Sequence, residues 1–333
     1  MERPEERPVV TDDPLVAVAA LRGGELVAIP TETVYGLGAD ATNDDAVRSV
    51  FAVKGRPADH PLIVHLGRDA DLDGWAVEVP DVARRLADAF WPGPLTLLLR
   101  RSQRVSTVVT GGRDSVGLRV PDHGLTLDLL DAFGGGVAAP SANRFGRVSP
   151  TTASHVVADL DGDVAVVLDG GPCRIGVEST IIDLTDGQPK ILREGGLTID
   201  RIAEVIGTTP IVVRSAEPAD RGSRAPGMLE SHYAPTARVV LAHEDRLADV
   251  LVRELDAADG PVGVLAPATL AGLPDDVVDL EPAGTAEEYA AVLYARLRQA
   301  DRIGLHVLVC VPPAAVGVGA AVVDRLTRAA AGR

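Results

Sequence analysis

The chain has 333 residues, 46% of them hydrophobic and 24% charged, and its 32 basic against 48 acidic side chains give a formal net charge of -16. That length can bury a large core and suggests two domains, while the negative field repels nucleic acid, whose binding rests on many Lys and Arg phosphate contacts, so a tight direct grip on RNA is disfavoured. Cys173 and Cys310 lie far apart with no CxxC spacing, which supports neither a disulfide framework nor a structural zinc site and fits a reducing cytoplasm.

Residues 1–14 are charged and proline-broken, lack the apolar run of a secretory signal, and are expected to form a disordered lead. From 15 to 206, short β-branched runs at 25–30, 95–99, 116–120, 164–168 and 180–184 alternate with helical patterns, the clearest at 44–53 and 81–90, each opened by acidic residues. This predicts an α/β domain built on a sheet. Residues 207–236 change character, with several prolines and mixed charges, and read as a linker. Strands at 238–241, 262–265, 277–280 and 305–311, with helices near 246–258 and 285–300, then predict a second, smaller α/β unit over 237–333. The apolar run 304–323 is long enough to span a membrane, but Pro312, Pro313 and three glycines make it strand, turn and helix instead.

Within the first domain the polar residues fall in clusters. A strand runs into Thr31, Glu32 and Thr33 and then glycines, offering hydroxyls and backbone amides to a small polar ligand. Lysine occurs only at Lys54 and Lys190 in an arginine-rich chain, and Lys54 and Arg56 flank a glycine directly after a helix. In an extended chain they project to one side, an arrangement suited to a triphosphate, although a solvated charge pair is the bland alternative. His65 closes an apolar strand-like stretch, where a satisfied core histidine is the ordinary reading. Arg119 interrupts another apolar strand and needs an anion, either a protein Asp or Glu or a substrate carboxylate. The loop from Ala138 to Pro150 crowds Ser141, Asn143 and Ser149 with two arginines, a donor set for phosphate oxygens or an Asx-type turn.

Taken together, PTETVYGLG at Pro30 to Gly38, KGRP with PLIVH at Lys54 to His65, WPGPLT from Trp91, GLRVP from Gly117, PSAN through SP at Pro140 to Pro150, ESTIID and LREG resemble, in order, the threonylcarbamoyl-AMP synthases with the YrdC-type fold. The later PGM and HYAP strings and the segment from Gly317 resemble the long members of that family. The resemblance implies a YrdC-type twisted-sheet catalytic domain joined by a long linker to a smaller Rossmann-like α/β domain. It also implies an enzyme that joins L-threonine, bicarbonate and ATP, with Mg²⁺ on the phosphates, into L-threonylcarbamoyl-AMP for tRNA modification. A tRNA threonylcarbamoyl transferase would be the downstream partner, and the alternative is an RNA-binding module of the same fold without turnover.

Carried over by position, Thr33, His65, Arg119 and backbone near Ala139 look like the threonine site, while Arg56, Ser115, Ser141, Ser149 and Arg193 look like ATP contacts. Lys54 and Asn143 belong to the family's basic and Ser-x-Asn signatures, Lys54 with Arg56 as the catalytic cations, and His60 stands where asparagine is common. The segment from Gly222 to Pro235 is expected to act as a lid, with Ser223, Arg224, His232 and Tyr233 toward the nucleotide.

Overall fold

Local chemistry sets the element boundaries in the computed structural model, which describes residues 7–213 and 233–331. Asp13 caps the helix α1 (Pro14–Arg22) by accepting from the Leu15 amide, and Pro14 enters its first turn, where no amide partner is lost. Asn43 caps α2 (Asp44–Lys54) through the Asp45 and Ala46 amides, and Gly55 ends it in the left-handed region at φ 64°.

The first unit holds eleven strands: β1 (Val9–Thr11), β2 (Val27–Ile29), β3 (Gly36–Asp40), β4 (Ile63–His65), β5 (Leu95–Arg100), β6 (Ser115–Arg119), β7 (Val137–Ala138), β8 (Val166–Leu168), β9 (Thr180–Asp183), β10 (Lys190–Arg193) and β11 (Ile211–Val212). They form one sheet in the order β1-β8-β2-β3-β7-β4-β6-β5-β9-β10-β11, of mixed direction. Helices α3 (Leu72–Trp75), α4 (Asp81–Phe90), α5 (Gly124–Phe133), α6 (Ala153–Leu160) and α7 (Ile199–Ile206) complete the unit. One apolar core gathers Tyr35, Phe51, Val64, Leu97, Leu118 and Ile182, and a second packs α1 against Ile29, Leu129 and Val166.

The strand and helix patterns read from the sequence land on β2, β5, β6, β8, β9, α2 and α4, with ends shifted by a residue or two. Three readings need correction. The expected disordered lead over 1–14 contains β1, which pairs in parallel with β8, and the Asp13 cap of α1. Lys54 is the last residue of α2 and Gly55 turns the chain, so Lys54 and Arg56 do not lie on one extended strand. The expected linker also contains β11, which pairs in parallel with β10, because Ile211 and Val212 continue the sheet edge.

The second unit has a parallel four-stranded sheet, β12 (Arg238–Leu241), β15 (Val307–Cys310), β13 (Val262–Leu265) and β14 (Val277–Asp279), in that spatial order. Its helices are α8 (Leu247–Ala257), α9 (Ala286–Arg302), opened by a Thr285–Glu288 capping box, and α10 (Val318–Ala330). By contact density Gly146–Val148 and Ile175–Val177 group with this unit. Ser223, Arg224 and His232, and with them most of the expected lid, lie outside the described residues.

Candidate functional site

Where β4 and β6 run parallel, His65 stands in register with Arg119, so one polar side chain closes each of two buried strands. Burial, and next the Arg119 charge, push the His65 imidazole down to about 3, which keeps it neutral. Its Nδ1 is buried without a hydrogen-bond partner. The Arg119 guanidinium donates from Nε to the Gly93 carbonyl at 3.2 Å. Nη2 lies 2.6 Å from Oε2 of Glu32, a buried ion pair. The contact is close but off-axis, so Nη2 and both Glu32 oxygens remain without an aligned hydrogen bond. Of the two anions open to Arg119, the protein itself supplies one.

Glu32 is held there by the turn after β2. The Thr31 hydroxyl donates to the Val34 carbonyl at 2.6 Å and accepts from the Thr33 and Val34 amides. Its single proton is thereby spent, which makes Thr33 the donor in the 2.8 Å contact between the two hydroxyls. Thr33 keeps its oxygen lone pairs for another donor. Ala139 follows β7, and its amide is committed to the Ile63 carbonyl, so a ligand contact at that position would use the carbonyl instead.

The same turn is stitched to the Ser141 loop. Leu37 donates to the Pro140 carbonyl at 2.7 Å, Ala142 to Tyr35 at 2.8 Å and Tyr35 to Pro150 at 2.9 Å. Gly36 makes this possible, since a Cβ there would stand 3.2 Å from that of Ala139. Lys54 anchors the other side of the loop, donating to the carbonyls of Ser141 at 2.5 Å and Asn143 at 2.6 Å. Burial and the neighbouring Arg56 lower its pKa well below the usual lysine value. The expectation that this ammonium faces phosphate is thus modified: two of its three donors go to the loop's backbone.

Arg56 donates to the carbonyls of His60 and Pro61, at 3.4 and 3.1 Å, and its guanidinium lies 6.0 Å from the Phe145 ring centre. The His60 ring meets Phe145 edge-on at 5.6 Å. Further along, Ser149 donates to Glu178 at 2.8 Å, and Arg193 holds Ser179 through Nε to its carbonyl and Nη2 to its hydroxyl, both at 3.0 Å. Thr96 joins from β5 through a 2.8 Å contact between its hydroxyl and that of Ser179. Ser115 opens β6, half-buried, at the far end of the strand from Arg119, about 13 Å away at the usual rise per residue.

The structure therefore joins Lys54 directly to Ser141 and Asn143, sets His65 beside Arg119 in register, and ties Thr33 to Thr31 and Ala139 to Ile63. It links Ser149 and Arg193 through Glu178 and Ser179, which are adjacent in sequence. Tyr233 is 1% exposed, its ring stacked on Tyr294 at 5.6 Å and 5.4 Å from the Arg325 guanidinium inside the second unit. Sequence reading missed Glu32, Glu178 and Ser179 as members of the site. Both acids sat inside quoted motifs, but an acid in an anion-binding region attracts no attention until its arginine or hydroxyl partner is seen.

Comparison with known proteins gives consistent matches. Residues 19–195 match the Sua5/YciO/YrdC family model, described as telomere recombination, and residues 197–331 match the threonylcarbamoyl-AMP synthase C-terminal domain. The threonylcarbamoyl-AMP synthase of Pyrococcus abyssi is 42% identical over 94% of this chain and 93% of its own length, and that of Bacillus subtilis 43% over 97% and 95%. The crystal structure of P. abyssi Sua5 complexed with L-threonine superposes with a TM-score of 0.90 at 40% identity, covering 98% of each chain.

Proposed function

The chain belongs to the threonylcarbamoyl-AMP synthase family, and from that premise we propose how its own residues make L-threonylcarbamoyl-AMP from L-threonine, bicarbonate and ATP. It is an L-threonylcarbamoyladenylate synthase serving threonylcarbamoyladenosine modification of tRNA. The observation that carries the site assignment is the buried Glu32–Arg119–His65 group, in which both Glu32 oxygens, Arg119 Nη2 and His65 Nδ1 lack hydrogen-bond partners. Buried polar groups are nearly always satisfied, and a cluster of exceptions calls for a ligand.

In this reading Arg119 takes the threonine carboxylate, Thr33 and His65 face its hydroxyl, and the Ala139 backbone closes the pocket. Threonine's amine condenses with bicarbonate, losing water to give the carbamate. A carbamate oxygen then attacks the α-phosphorus of ATP as the bond to pyrophosphate breaks, and no covalent enzyme intermediate is needed. Arg56, Ser141, Asn143, Ser149, Arg193 and Ser115 are proposed to hold the nucleotide, which enters as its magnesium complex. Lys54 fixes the Ser141–Asn143 loop, and with it the Ser141 hydroxyl proposed to meet the phosphates. The chemistry is mainly proximity and charge stabilisation, and the apolar walls keep water from the mixed anhydride.

Among the described residues no helix is long and apolar enough to cross a membrane. We place the enzyme in the cytoplasm, passing its labile product to a tRNA threonylcarbamoyl transferase. A module that only binds RNA is disfavoured by the net charge of -16. The deciding experiment incubates the full chain with ATP, Mg²⁺, bicarbonate and a panel of amino acids and identifies adenylates by mass spectrometry. Threonylcarbamoyl-AMP is expected with L-threonine alone; RNA retention at physiological salt without any adenylate would overturn the assignment.

A further inference from the structure

We propose that Glu32 is the receptor for the α-ammonium of L-threonine, and so the residue that restricts the site to amino acids with a free amine; this rests on the threonine assignment above. Glu32 is 2% exposed and both its oxygens lack hydrogen-bond partners. A carboxylate so placed has lost its hydration without regaining equivalent bonds, a cost that a single off-axis cation only partly offsets.

The unspent valences around it match one ligand. Two carboxylate oxygens accept, Arg119 Nη2 donates, and the lone pairs of the Thr33 hydroxyl and the neutral His65 Nδ1 remain open. A β-hydroxy amino acid offers an ammonium that only donates, a carboxylate that only accepts, and a hydroxyl that does either. With Glu32 and Arg119 only 2.6 Å apart, the two substrate charges fall on adjacent protein charges, as they must when a single carbon separates ammonium from carboxylate. The nearby Cys173 thiol is pushed up to about 12, mainly by burial, so it stays protonated and brings no rival anion to the pocket. When the amine condenses with bicarbonate, the nitrogen sheds its protons while hydrogen-bonded to Glu32, and a carboxylate oxygen is the acceptor in contact.

The test compares L-threonine with the dihydroxybutyrate that carries a hydroxyl in place of the α-ammonium, measuring binding of each to the full-length wild type and Glu32→Gln by calorimetry. Melting temperature and ATP affinity serve as folding controls. Glu32→Gln should weaken L-threonine by about 10- to 100-fold, the equivalent of losing charge-assisted hydrogen bonds, and leave the hydroxy analogue unchanged. Glu32→Asp keeps the charge but withdraws it by one methylene, and should give an intermediate loss for threonine alone. Equal weakening of both ligands would make Glu32 only a brace for Arg119, and tightening of both would make it a resident competitor for the carboxylate subsite. Either result, or unchanged binding, overturns the proposal. If wild type itself fails to bind L-threonine, the threonine assignment falls and takes this inference with it.

Discussion

The ammonium of Lys54 donates to the carbonyl of Asn143, 89 residues further along the chain, at 2.6 Å. One side chain at the end of α2 thereby fixes the spacing between the Arg56 turn and the Ser141–Asn143 loop, since it also reaches the Ser141 carbonyl. Lys54→Ala would remove both of these hydrogen bonds, at about 1–3 kcal/mol each. We expect a lower melting temperature together with loss of adenylate formation at saturating threonine. Calorimetric melting and turnover measured on the same preparation check this. Lost turnover with an unchanged melting temperature would return Lys54 to a direct phosphate role.

Arg119→Lys keeps the charge but removes the planar fork that can hold Gly93 and a carboxylate together. Threonine binding should weaken by about 1.5–3 kcal/mol while ATP affinity changes far less. The ratio of the two Michaelis constants is the readout. An unaltered threonine constant in a folded variant removes Arg119 from the substrate site.

Much of the site was legible because its residues break local rules. Arg119 and His65 interrupt apolar strands, and a polar residue at such a position either has a partner or has a job. What sequence could not supply was the partner. Glu32 lies 87 positions before Arg119, and only the pairing of β4 with β6, together with the turn organised by Thr31, brings the two within contact. The carbonyl partners of Lys54 likewise carry no sequence signal at all. The short strands β10 and β11 owe their existence to neighbours already in the sheet, which two to four residues cannot announce.

Ser149 and Glu178 form the link between the Ser141 loop and the segment through Ser179 that leads into β9. Removing the hydroxyl in Ser149→Ala costs that bond, about 1 kcal/mol, and should raise the ATP Michaelis constant several-fold with little effect on threonine. Initial rates with each substrate varied in turn decide it. A change confined to threonine would move Ser149 out of the nucleotide site.

His65 gives the chain a specific acid sensitivity. Its folded-state pKa of about 3 lies far below the ordinary imidazole value of 6.5, so between those limits the unfolded chain binds a proton that the folded chain refuses. Stability from this group is complete above about pH 6.5 and is lost as pH falls toward about 3, at about 1.4 kcal/mol per unit. His65→Gln removes the titrating group while keeping polar atoms of similar reach. Urea unfolding of wild type and variant at neutral pH and near pH 4.5 isolates the effect, because the carboxylates common to both proteins cancel in the difference. The wild type should lose about 2–3 kcal/mol more than the variant over that interval. His60→Gln provides the comparison, since His60 is shifted in the same direction but is only half-buried and should yield less. Because His65 stays neutral across the working range, threonine affinity should show no imidazole titration between about pH 5 and 8 in wild type. Parallel stability losses in wild type and His65→Gln, or a threonine affinity that titrates near pH 6.5, would mean that the ring is solvated and charged in the folded protein and cannot be the neutral partner of a substrate hydroxyl.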